Sequence, residues 1–132
     1  MAGLHLEFVS PESVLFSGDV DQVDLPGTEG DMGILAGHAP LVTTLRPGIV
    51  TIFRDGRREP VVVIGGFAEM SPAGLTVLAD KAVARENFDL ALLASEIKDT
   101  EEDVADSKNE AERDKLARHL EQLKSLQAAL AS

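Results

Sequence analysis

Cysteine is absent from the 132 residues, which excludes disulfides, thiolate metal sites and cysteine nucleophiles together. Tryptophan and tyrosine are missing as well, so five phenylalanines supply all the aromatic content and the usual stacking platform for single-stranded nucleic acid is lacking. Positive charge is scarce: 12 Lys and Arg stand against 23 Asp and Glu, a formal net charge of −11. A surface of that sign repels phosphate backbones and anionic lipid heads, and nucleic acid is not an expected partner. No uninterrupted run of about 18 apolar residues occurs, and Met1 to Ser10 lack both a basic start and a long apolar core. Neither direct membrane insertion nor a secretory leader is expected, and membrane association has to come through a partner.

Glycine and proline are absent from the last third of the chain. All 11 glycines and all 6 prolines precede Ala84–Asn87, where the vocabulary changes from Val, Gly and Pro to Ala, Leu, Glu, Lys and Asp. Because Gly and Pro punctuate short strands and are costly inside helices, the asymmetry predicts a β region followed by a helical one. Residues 1–86 and 87–132 are the expected domains, with formal charges of −6 and −5, so neither is a dedicated acidic tail. The length suits one compact domain, or a small domain with an appendage.

In the β region Leu4, Leu6 and Phe8 alternate with His5, Glu7 and Val9, the period of a half-buried strand. Val14–Phe16 and Val20–Leu25 are expected as further strands, separated at Ser17-Gly18 and stopped at Pro26-Gly27. Thr28–His38 is expected to be a structured loop with a short strand. Asp55-Gly56 between Ile49–Phe53 and Glu59–Ile64 predicts a hairpin with a type I′ turn, which requires positive φ at its two central residues. Gly65-Gly66 suggests a bulge or corner, and Ser71-Pro72-Ala73-Gly74 a reversal. Many short strands at this spacing fit a sandwich or barrel.

Beyond Asn87, Leu90, Leu93, Ile97 and Val104 recur at helical spacing, with Asn87 as the expected N-cap and Asp89 near the positive end of the dipole. Ser107 and Glu110 form a capping-box pattern ahead of a second stripe at Leu116, Leu120, Leu123, Gln127 and Leu130. Helices of this length are marginal alone in water, so the two are expected to pair as an antiparallel hairpin. Phe88, Leu92 and Leu126 fall off the shared seam.

Chemistry-bearing patterns mostly reduce to structure. Asp19, Asp21 and Asp24 do not fit a calcium loop, since the twelfth position from Asp19 is Gly30 in place of a glutamate. Gly27, Gly30 and Gly33 lack the Lys-Ser/Thr ending of a phosphate loop, and Glu29 and Asp31 would repel phosphate, so a contact surface is expected there. His5, His38 and His119 show no ligand spacing, and no metal site is expected. His38 is either a contact residue or a hydrogen-bonded loop histidine. No Gly-x-Ser-x-Gly elbow or paired base occurs, and independent catalysis is not expected. The acidic face of the first helix, including Glu96, Asp99 and Glu102, is most simply a solvated surface, with a regulatory face as the alternative.

Phe16-Ser-Gly18, Gly27-Thr-Glu-Gly-Asp-Met-Gly-Ile34, Gly37-His-Ala-Pro-Leu41, Arg46-Pro-Gly48, Gly65-Gly66 and Thr76-Val-Leu-Ala-Asp80 together resemble the epsilon subunits of F-type ATP synthases in order and spacing. The motifs run from about Leu4 to Asp80, with only helical pattern beyond. The resemblance implies a ten-stranded β-sandwich followed by a two-helix hairpin, turning with the rotor of a proton-translocating ATP synthase at the cytoplasmic face of the bacterial inner membrane. It implies that Glu29 and Asp31 face the polar loops of the c-ring, and that His38, Ala39, Pro40 and Leu41 lie against gamma. The hairpin is implied to reach the alpha and beta subunits and to regulate ATP hydrolysis by extending along gamma. Some relatives bind ATP through Ile/Leu-Asp-x-x-Arg-Ala, but here the stretch is Phe88-Asp89-Leu90-Ala91-Leu92-Leu93. Leu92 replaces the guanidinium that would pair with phosphate, so no bound cofactor is expected. The competing possibility is a stand-alone adaptor that binds an unrelated protein through its hairpin.

Overall fold

Alternation over β1 (Leu4–Val9) sends Leu4, Leu6 and Phe8 into the core, none more than 2% exposed, and leaves His5 and Glu7 on the outer face. The computed structural model describes residues 3–131. Within them ten strands form two five-stranded sheets, and two helices follow. The strands are β1, β2 (Val14–Val20), β3 (Gln22–Gly27), β4 (Gly30–Leu35), β5 (Leu41–Thr44), β6 (Gly48–Arg54), β7 (Arg57–Val63), β8 (Gly66–Ser71), β9 (Gly74–Ala79) and β10 (Ala82–Ala84).

One sheet has the order β2-β1-β9-β8-β5 and the other β10-β7-β6-β3-β4. Strand β1 runs parallel to β9, Leu6 opposite Leu75, and every other pairing is antiparallel. Inward residues of both sheets, among them Phe8, Val23, Ile34, Val50 and Val77, make one apolar cluster. The fold is a ten-stranded β-sandwich with a helical hairpin at its C-terminal end.

The hairpin between β6 and β7 turns at Asp55 (φ 54°) and Gly56 (φ 76°), the paired positive values a type I′ turn demands. One strand boundary is corrected. Ser17-Gly18 does not divide β2, because Ser17 and Gly18 pair with Glu7 and Leu6, and the break falls at Asp21. Strand β3 stops at Pro26-Gly27 as expected, with both residues still paired, Pro26 opposite Asp31 and Gly27 opposite Gly30. The stretch expected as a structured loop with a short strand does contain one, the six-residue β4, with Asp31 and Gly33 exposed and Ile34 fully buried.

The chain divides into two compact units between Asn87 and Phe88. In the second, α1 (Leu90–Asp106) and α2 (Glu110–Leu130) pack together across a three-residue connection, Ser107 to Asn109. Both expected caps shift by two residues. Asn87 ends a short 3-10 turn, and Asp89 caps α1, its carboxylate accepting from the Leu92 N–H at 3.0 Å. Ser107 ends α1, and Asn109 caps α2 by accepting from the Glu112 N–H at 3.2 Å. The stripes shift too: Leu93, Ile97 and Thr100 are buried on α1 while Leu90 is exposed, and Leu120, Leu123 and Leu126 are buried on α2 while Gln127 is exposed. Thr100 tolerates burial because its hydroxyl donates to the Glu96 carbonyl at 2.8 Å. Asn109→Ala is expected to cost the hairpin about 1 kcal/mol. Ser107→Ala should cost less, a ranking that urea titrations followed by helical circular dichroism would check.

Candidate protein interface

Thr28 and Glu29 are the two exposed residues at the tip of the β3–β4 hairpin, and Asp31 follows on β4. A side chain at Gly27 would come within 2.8 Å of the Gly30 carbonyl oxygen and 3.1 Å of Met32 Cε, so the two strands close on each other there with no room for a Cβ. The tip is stitched to the neighbouring β5–β6 connection. The Thr28 N–H donates to the Thr44 carbonyl at 3.0 Å, and the two threonine hydroxyls are 2.7 Å apart. Arg46 adds three links: its backbone N–H donates to the Pro26 carbonyl at 3.0 Å, Nη1 to the Gly27 carbonyl at 2.6 Å, and Nη2 to Asp31 Oδ1. Since Thr44 ends a strand of the opposite sheet, both layers of the sandwich hold this turn in place.

His38, Ala39 and Pro40 lie in the connection that leaves the far end of β4, and Leu41 begins β5 opposite Met70. At ~3.3 Å per strand residue, β4 separates His38 to Pro40 from the Glu29 tip by roughly 17 Å, whereas Leu41, packed against the core, is three strand residues or about 10 Å from Thr44 beside the tip. The two groups of expected contact residues therefore form two surfaces. The His38 N–H donates to the Leu35 carbonyl at 3.1 Å, and Nδ1 lies 2.8 Å from the Ala39 carbonyl. A carbonyl can only accept, so Nδ1 is the donor of this hydrogen bond.

Beyond these lies an apolar surface that the sequence patterns did not single out. Val42 is 69% exposed opposite Glu69 on β8, and Phe67 is 41% exposed opposite Thr44. Both occupy outward positions where strands of a free-standing sandwich carry polar groups. The alternation of outer positions could have exposed them, had the four-residue β5 been legible as a strand.

At the start of α1, Asp89 is engaged as the helix cap, Leu92 is 58% exposed and aliphatic, Leu93 is buried and Phe88 is half-buried. Of the three carboxylates whose spacing does not fit a calcium loop, Asp21 accepts from the Asp55 N–H at 3.1 Å, Asp24 accepts from Gln22 Nε2 at 2.7 Å, and Asp19 lies 3.2 Å from His5 Nδ1. Each has its own structural task.

Rigid, backbone-braced turns and outward apolar side chains on a β-sandwich are the parts of a module that works by docking to other proteins. The family model of the ATP synthase delta/epsilon chain β-sandwich domain matches residues 3–85. The chain belongs to the ATP synthase delta/epsilon chain family. It is 50% identical over 130 residues to an ATP synthase epsilon chain of Nitrobacter hamburgensis, an alignment covering 98% of this chain and 96% of the relative. It is 46% identical over 132 residues to the epsilon chain of Afipia carboxidovorans, covering 100% and 97%. Among solved structures it matches a chain of the Euglena gracilis mitochondrial ATP synthase, resolved with OSCP, F1 and the c-ring, at a TM-score of 0.81 and 29% identity, covering 98% of this chain and 82% of that one. The chain is thus a central-stalk subunit of ATP synthase with a structural and regulatory role, and it is not a catalytic one. Among the described residues no helix is long and apolar enough to cross a membrane.

Proposed function

We propose that the sandwich couples c-ring rotation to the catalytic head by gripping two rotor partners with two surfaces. The β3–β4 tip carrying Glu29 and Asp31 meets the polar loops of the c-ring, while His38 to Leu41, joined by Val42 on the same strand, meets gamma. Support comes above all from the separation of His38 to Pro40 from the tip by the length of β4, with the short β5 running between the two surfaces. The c-ring in the Euglena assembly and the match to bacterial epsilon chains are consistent with a place at the cytoplasmic face of the bacterial inner membrane. The hairpin adds at most weak regulation, because the tail after Lys124 carries no charged side chain with which to meet the alpha and beta subunits.

A tagged chain extracted gently from membranes is expected to bring down gamma, the c-ring and the catalytic subunits. Recovery of an unrelated protein in their place would favour the adaptor instead. In the isolated chain, calorimetric titration with ATP is expected to give no micromolar binding. Leu92 supplies no cation, and the Asp89 carboxylate is already committed to the helix terminus. A micromolar heat would overturn that expectation.

A further inference from the structure

We propose that Arg46 is a positioning residue for the β3–β4 tip: it engages the Asp31 carboxylate and the Gly27 carbonyl internally, leaving Glu29 as the free charge offered to the partner. This rests on the assignment of the tip to the c-ring made above. The Arg46 side chain is 27% exposed, against 80% for Asp31, so the guanidinium reaches out from a sheltered base to hold an otherwise solvated group. One planar cation spans a carbonyl 19 residues away in sequence and a carboxylate 15 residues away. A guanidinium fork holds two such acceptors at once, whereas a lysine ammonium is a point charge without that geometry. Glu29, by contrast, is exposed and makes no hydrogen bond or ion pair among the described residues.

The brace matters for docking because a two-residue turn that wanders must be ordered when it binds. Holding it in advance removes that entropic cost. Asp31 and Glu29, both acidic and two residues apart, thereby take different roles. Asp31 is the anchor that keeps the turn aimed, and Glu29 supplies the attraction that salt can screen.

The test uses ATP synthase stripped of this subunit, rebound by full-length variants across a range of salt concentrations, with isolated gamma as the second binding partner. Glu29→Gln is expected to weaken binding to the ring-containing complex and flatten its salt dependence. Asp31→Asn should leave that dependence unchanged in the parent chain but flatten it in an Arg46→Ala background, where the carboxylate is released. Arg46→Lys is expected to lower affinity for the ring-containing complex by about tenfold, with gamma binding and thermal melting unchanged. Three results would overturn the proposal: Asp31→Asn flattening the salt dependence of the parent chain as much as Glu29→Gln, Arg46→Lys binding like the parent, or Arg46→Lys losing gamma affinity and melting temperature in parallel. If Glu29→Gln weakens binding and Arg46→Lys does not, the brace is refuted and the ring assignment stands. If no tip variant alters binding to the ring-containing complex, the ring assignment itself falls, and the proposal with it.

Discussion

Gly66→Ala is expected to destabilise the sandwich by roughly 4 kcal/mol or more, a large share of the 5–15 kcal/mol that holds a typical domain together. Gly66 has φ +125°, and a Cβ there would lie 2.2 Å from the Leu78 carbonyl oxygen and 2.8 Å from Ala79 Cα. Both obstacles are backbone of the adjacent strand β9, so no rotamer change can relieve them. The position cannot shift freely either, since the Gly66 carbonyl accepts the Leu45 N–H at 2.8 Å. Gly56→Ala is the matched control, with φ +76° but nothing within 4 Å of the added carbon. It should cost only about 1 kcal/mol, the conformational part alone. Urea titrations of the two variants measure the difference, and equal midpoints would show that the collision with β9 is unimportant.

Leu123→Asp is expected to melt the helical hairpin while leaving the sandwich folded. Leu123 is fully buried, and a carboxylate placed there would lose its hydration without gaining a cation. Helices of 17 and 21 residues depend on their buried stripes, and few large apolar side chains make up these two. The penalty of several kcal/mol therefore exceeds what the remaining contacts supply. The measurement is far-UV circular dichroism, which should lose most of its helical signal, combined with binding to gamma through the intact sandwich. A retained helical spectrum would contradict the expectation.

The division into strands and helices was legible because it depends on composition: Gly and Pro stop abruptly where the helices begin. Strand β1 and the Asp55-Gly56 hairpin were legible because their signals are local. The misplaced caps originate in competition between near neighbours. Asn87 and Asp89, or Ser107 and Asn109, are equally able caps by residue type, and only the backbone path selects between them. Strand β5 was missed because four residues, Leu41 to Thr44, give too little alternation to distinguish an edge strand from a turn. Strand β2 continued through a glycine because pairing with β1 outweighed the local preference to break. The proposed contact residues were suggested by motif order, but the brace from Arg46 was out of reach, since it joins residues 15 and 19 apart that only the fold brings together.

The parallel pairing of β1 with β9 has a consequence for how the chain is made. Leu6 finds its neighbour Leu75 only after most of the sandwich has been translated. At about 5 to 20 residues per second, the first strand waits on the order of 3 to 14 s on the ribosome with the backbone N–H and C=O groups of one edge unpaired. Nascent chains halted before Leu75 should accordingly be captured by holdase chaperones, and those halted well beyond Ala79 should escape them.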